Sequence, residues 1–213
     1  MSRSTNELIR EMADELTPVR SLRLRDGLAR VAGALMLTLI AIESIAGLWR
    51  GVWQGEASTF YILTNGLLLL LGCAATSTVL RMASPQVGNQ HEGPRWAFLA
   101  VALLPVAALP ALLGHDHPVV ALGSFHGLKC MSLSLAAASL SAVALFLWLR
   151  RGAPVSPATA GLHLGIASSA LGAGAWGLAC PLDGDVHLGI WHVLPVFLGA
   201  LLGRLALPSL LRW

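Results

Sequence analysis

Apolar residues gather into six runs, at about 28–49, 60–83, 96–114, 129–149, 158–179 and 189–207, divided by short polar stretches. Each run, wound as a helix, is long enough to cross a hydrocarbon core of about 30 Å. The pattern predicts an all-α, polytopic membrane protein in which residues 28–213 form a bundle of six transmembrane helices. Residues 1–27 are patterned differently. Leu8, Met12 and Leu16 recur every four residues, Ile9 widens that stripe, and Glu7, Glu11, Asp14 and Glu15 crowd the other face, which is the period of an amphipathic helix. Ser4 and Glu7 have the spacing of a capping box, and Pro18 closes the helix before the basic run Arg20, Arg23 and Arg25. A short amphipathic helix on a basic stalk is expected there.

Small residues recur about every four positions in the runs. Gly161 pairs with Gly165, Gly199 with Gly203, and Cys130, Ser134, Ala137 and Ser141 follow one side of the fourth run. Such seams let helices approach closely. Pro105 and Pro110 should kink or locally unwind the third run, which a bundle tolerates. Trp49, Trp53, Trp96, Trp148 and Trp191 stand near run ends and read as anchors at the headgroup level. Cys73, in the middle of the second run, reads as packing. Glu43 is an intramembrane carboxylate and a functional candidate by default, unless it pairs with a neighbour such as Asn65 or reaches the interface.

Composition agrees with this class. Hydrophobic residues make up 55% of the chain and charged residues 12%, so it lacks the charged surface that a soluble domain of this length needs. Charge placement adds a direction. With six spans, only Arg50 and Lys129 fall opposite the N-terminus, against twelve Arg on its side; positively charged loops are retained in the cytoplasm, so both termini are expected there. No cleavable signal peptide is expected, because the first apolar run follows a charged segment too long for an n-region. The net charge of +3 does not point to nucleic acid, since the basic residues form no stripe and aromatics are not interleaved with them. The carboxylates of the N-terminal helix suit an anionic leaflet poorly and a groove on a basic helical protein well. Adsorption to the membrane surface and a disordered tail are the alternatives.

The candidate chemistry lies on the outer face. Cys130 opens the fourth run and Cys180 closes the fifth, each about 30 Å along its helix from the turn at 150–157 that joins them. The two thiols should share one depth on the periplasmic side, where disulfides persist. A thiol switch, a static disulfide and two small buried residues are the competing readings. His115, His117, His126, His187 and His192 fall on the same face. His115, His117, Asp183 and His187, with the cysteines, could supply ligands for zinc or a heavier thiophilic metal, although no site spacing is recognisable and solvated loop residues would look the same.

Enzymatic activity is not expected. The chain has neither a phosphate-binding glycine loop nor a nucleophile with a credible base, and no organic cofactor is implied. A quinone-coupled thiol oxidoreductase usually needs a Cys-x-x-Cys with a second exchangeable pair, whereas Cys73, Cys130 and Cys180 are far apart. A small-molecule or metal transporter is disfavoured by the thin polar content of the spans and by the absence of a visible repeat.

Leu8-Ile9, Leu16, Pro18-Val19-Arg20, the Cys130 opening of the fourth run, the turn at 150–157, and the stretch from Gly161 through Cys180, Trp191 and Gly203-Arg204 together resemble the NrsF-type anti-sigma factors. The resemblance implies a six-span inner-membrane protein whose N-terminal segment, with Leu8, Ile9, Met12, Leu16, Pro18 and Arg20, sequesters an extracytoplasmic-function sigma factor. It also implies that Cys130 and Cys180 sense oxidants or heavy metals and release that partner. The lipid bilayer and a sigma factor are thus the expected partners, with no direct binding of nucleic acid.

Overall fold

The computed structural model describes residues 4–15, 22–84, 93–114 and 125–210. Leu16, Pro18, Arg20, His115 and His117 lie outside these residues. Helix α1 (Thr5–Asp14) begins with a complete capping box: the Ser4 hydroxyl accepts the Glu7 N–H, and the Glu7 carboxylate accepts the Ser4 N–H at 3.0 Å. None of its residues is buried, and Leu8, Ile9 and Met12 are all exposed.

The long helices are α2 (Leu24–Ile45), α4 (Thr59–Met82), α5 (Arg95–Ala107) continued by α6 (Leu109–Leu113), α7 (Phe125–Leu149), α8 (Pro157–Gly177) and α9 (Leu194–Leu210). A short α3 (Gly51–Gln54) follows α2, and a π-turn (His187–His192) leads into α9. Among the described residues five segments are long and apolar enough to cross a membrane: α2, α4, α5 with α6, α7, and the π-turn with α9. Of the six expected runs, the fifth is not among them. Its helix, α8, is rich in Gly, Ala and Ser, which lowers its hydropathy for a structural reason. It is the centre of the bundle, packed against α4, α7 and α9, and nearly every residue from Ala160 to Gly177 is buried.

Those small residues set the interhelix distances. A Cβ added at Gly161 would collide with the Gly203 carbonyl, and one at Gly165 with the Gly199 carbonyl. Dispersion contacts between such close backbones drive helix association in lipid, where apolar burial supplies little. On the other side of α8, Gly172 sits over the backbone of Ser134 and Ala138 in α7. Leucine at Gly165 should therefore destabilise the bundle by about 1–3 kcal/mol or more, read as a lower unfolding midpoint in mixed micelles. Leucine at Gly33, which has nothing within 4 Å of its would-be Cβ, should leave the midpoint unchanged.

The third run breaks at Ala108. Pro110 cannot donate to the Val106 carbonyl, so the helix restarts as α6 with that proline in its first turn. Two tryptophans read as interfacial anchors are internal. Trp148 is 2% exposed and donates from Nε1 to the Leu80 carbonyl at 3.1 Å, and Trp191 is buried over Gly127. Trp53 and Trp96 are exposed. Cys73, expected to pack inside, faces outward. Glu43 does not reach Asn65, whose side chain donates to the Tyr61 carbonyl; its carboxylate instead accepts the Leu48 N–H at 2.6 Å, beyond the end of α2.

Candidate functional site

Cys130 lies in the second turn of α7, and Cys180 lies in the loop that follows α8. Three hydrogen bonds fix this loop. The Trp49 N–H donates to the Leu178 carbonyl at 2.9 Å, the Tyr61 hydroxyl to the Gly177 carbonyl at 2.6 Å, and the Ser58 hydroxyl to the Asp183 carbonyl at 3.2 Å. Trp49 also packs edge-on against Tyr61, with ring centres 5.1 Å apart. The loop thus hangs from the polar ends of α2 and α4, and its Cys180 points inward to meet α7.

The two sulfurs stand 3.6 Å apart as free thiols, both buried, and the Cys180 sulfur is 3.4 Å from His187 Nε2. His192 completes the group. One ligand atom from each of Cys130, Cys180, His187 and His192 lies within 4.8 Å of every other. His192 is 0% exposed, and among the described residues neither of its ring nitrogens has a hydrogen-bond partner. A buried imidazole with both nitrogens unpaired is costly in isolation, and it is suited to a site that something else completes.

The π-turn explains why both histidines face the thiols. Residues five apart on an α-helix point about 140° apart, whereas i to i+5 hydrogen bonds stack them on one side. The rings of His187 and His192 accordingly stand with centres 5.3 Å apart. Gly189, inside the π-turn, packs against Ala108 and the Leu104 carbonyl, so the break in the third run receives the wider turn.

The structure therefore selects among the sequence candidates. It brings Cys130, Cys180 and His187 together. Asp183 is not in the group: it precedes the π-turn, half-exposed, with its backbone tied to Ser58. His126 is exposed and also outside it. The candidate donor that sequence reasoning left out is His192, whose only sequence signal was its place five residues after His187.

The hydrogen bond with Cys130, followed by burial, pushes the Cys180 thiol up from its usual range, so this sulfur holds its proton. The site can do two kinds of chemistry. The thiols can lose two electrons and two protons to an oxidant and join as a disulfide. Alternatively, the four donors can take a borderline or soft cation: sulfurs on a tetrahedral zinc stand about 3.8 Å apart, close to the spacing found here, and two thiolates with two imidazoles are a set such ions accept.

Residues 12–213 match the family described as negative regulator of sigma F. The chain is 33% identical over 204 residues to the anti-sigma-F factor NrsF of Caulobacter vibrioides (strain NA1000 / CB15N), covering 93% of this chain and 92% of that protein. It is 29% identical over 193 residues to the probable anti-sigma-F factor NrsF of Azospira oryzae (strain ATCC BAA-33 / DSM 13638 / PS), covering 85% and 84% respectively. No solved structure matches it.

Proposed function

Because this chain belongs to the NrsF family of negative regulators of sigma F, we propose that it is an anti-sigma factor that crosses the bacterial inner membrane six times, with both ends in the cytoplasm. It holds an extracytoplasmic-function sigma factor at residues 1–27 and releases it when an oxidant or a thiophilic metal reaches Cys130 and Cys180. The observation that carries this reading is the buried cluster of two thiols and two imidazoles at one end of the bundle, in a chain whose N-terminal helix leaves Leu8, Ile9 and Met12 exposed. α8 is the remaining span, about 31 Å long at 1.5 Å per residue, and antiparallel to both α7 and α9.

A path joins the two ends. α7 runs from Cys130 to Trp148, about 27 Å. There Arg30 lies over the Trp148 ring at 5.4 Å, and a Cβ on Gly27 would meet both Leu80 and Trp148. Gly27 and Arg30 open α2, the helix that α1 precedes. A shift of α7 at its outer end is therefore felt where the N-terminal segment is anchored.

The docking half is tested by replacing Leu8, Ile9 and Met12 together with aspartate in the full chain. Capture of the co-expressed sigma factor should be lost, and sigma-dependent transcription should become constitutive; undiminished capture would remove α1 from the interface. Topology is tested on a cysteine-free background. Cysteine placed at exposed Trp53 should react with an impermeant maleimide from the periplasm and cysteine at exposed Val155 should not; the reverse pattern would invert the orientation.

A further inference from the structure

At the opposite end of the bundle from the thiols, a cavity of about 490 Å³ opens between the start of α5 and the paired helices α8 and α9. α5 leans on α4 and on the π-turn, while α8 and α9 hold each other along their glycine seam. The two walls therefore diverge toward this end. Phe98 of α5 meets Phe197 of α9 edge-on, with ring centres 5.5 Å apart, and closes the cleft at depth.

The cavity is amphipathic along its length. Its mouth carries Arg95, Arg204, Thr159 and His163. His163 is oriented by its Nδ1–H, which donates to the Thr159 carbonyl at 2.9 Å. Gly93 makes the approach of α5 possible here, because a Cβ on it would run into the His163 ring. Among the described residues neither the Arg95 nor the Arg204 guanidinium has an ion-pair or hydrogen-bond partner. Below the mouth the walls are Phe98, Leu99, Leu162 and Ile166, with Leu71 of α4 as floor. Ile166 lies about 10 Å further along α8 than Thr159, and Leu71 about 16 Å from the end of α4.

From this arrangement we infer that the cavity is a binding site for one anionic phospholipid of the inner leaflet. Its phosphodiester sits between the Arg95 and Arg204 guanidinium groups, and an acyl chain lies along the apolar walls. Guanidinium forks match phosphate oxygens, and basic pockets between spans on the cytoplasmic side are suited to acidic headgroups. The volume falls within the range of small-molecule sites. Free inorganic phosphate shares the headgroup chemistry, but it would leave a wall of apolar side chains uncovered. The carboxylates of α1 are a poorer occupant of a slot walled by apolar side chains, and none of that helix's residues is buried against the bundle.

The consequence is positional. Arg204 is one residue beyond Gly203, which packs on Gly161, so a bound headgroup ties α5 to the α8–α9 pair at the end from which the N-terminal segment emerges. This inference rests on the orientation proposed above for its choice of leaflet, but the site itself does not depend on sigma-factor binding or on the thiols.

The test uses the full chain in nanodiscs containing equal amounts of phosphatidylglycerol and phosphatidylcholine, followed by native mass spectrometry of the released protein. Retained phosphatidylglycerol should exceed phosphatidylcholine by about tenfold, and Arg95→Gln with Arg204→Gln should abolish that preference. The double variant should keep the wild-type level of phosphatidylcholine, which marks an intact fold. Arg150→Gln with Arg151→Gln, a basic pair at the same end but outside the cavity, should retain the full preference. Equal retention of the two lipids would overturn the assignment. So would an equal loss in the Arg150/Arg151 variant, which would make the effect one of diffuse charge, or displacement of the lipid by millimolar inorganic phosphate, which would make it a free-anion site.

Discussion

With Cys130 and Cys180 both replaced by serine, sigma-dependent transcription should stay at its uninduced level when cells meet an oxidant or cadmium, while repression in unstressed cells remains intact. The sulfurs start 3.6 Å apart and must close to about 2.05 Å to form a bond, which draws the Cys130 end of α7 and the loop at 178–184 toward each other. Hydroxyls cannot make that bond and are poor ligands for a soft cation, so either stimulus loses its purchase. The packing of Trp148 on Gly27, Leu80 and Arg30 and the apolar stripe of α1 are untouched, which is why basal repression should survive. Each single serine variant should already abolish the response to oxidant, since a disulfide needs both partners. Normal induction in the double variant would remove the thiols from sensing and leave the cluster a packing feature.

The parts of this architecture that depend on short sequence periods were legible, and those that depend on an irregular backbone were not. Five spans follow from run length, and the seams Gly161 with Gly165 and Gly199 with Gly203 lie where their spacing placed them, in contact with each other across α8 and α9. The break near Pro105 and Pro110 followed from the missing N–H. Hydropathy sets α8 apart from the other long helices, because the helix buried most completely by its neighbours is built from glycine, alanine and serine rather than leucine. Trp148 and Trp191 show the limit of reading tryptophan at a run end as interfacial: each turns inward, where a carbonyl or a glycine face receives its ring. The cysteine pair was legible because Cys130 and Cys180 lie at similar distances along two antiparallel helices from the turn that joins them. His192 was not. Five residues is the wrong spacing for one face of an α-helix, and only the π-turn brings it beside His187. Asp183 had the right chemistry and neighbourhood in sequence, but a backbone tie to Ser58 holds it in a loop outside the donor group.

Replacing His192 with alanine should lower the affinity of the purified full chain for Cd²⁺ by at least about a hundredfold, the loss that even outer-shell partners of a metal site can cause. His126→Ala, on the same face but exposed and outside the donor set, should change nothing. With Co²⁺ as the probe, the wild type should show the visible bands of a tetrahedral site with sulfur ligands, and the His192 variant should lose their intensity. The pH dependence has a fixed sign. Cys180 is held protonated by its hydrogen bond with Cys130 and by burial, so the cation must displace a thiol proton to bind. Affinity should accordingly rise with pH, about tenfold per unit for each proton released, and fall as the solution is acidified. Wild-type affinity in the His192 variant would remove His192 from the donor set and leave cation binding to Cys130, Cys180 and His187, and affinity independent of pH would show that binding displaces no thiol proton.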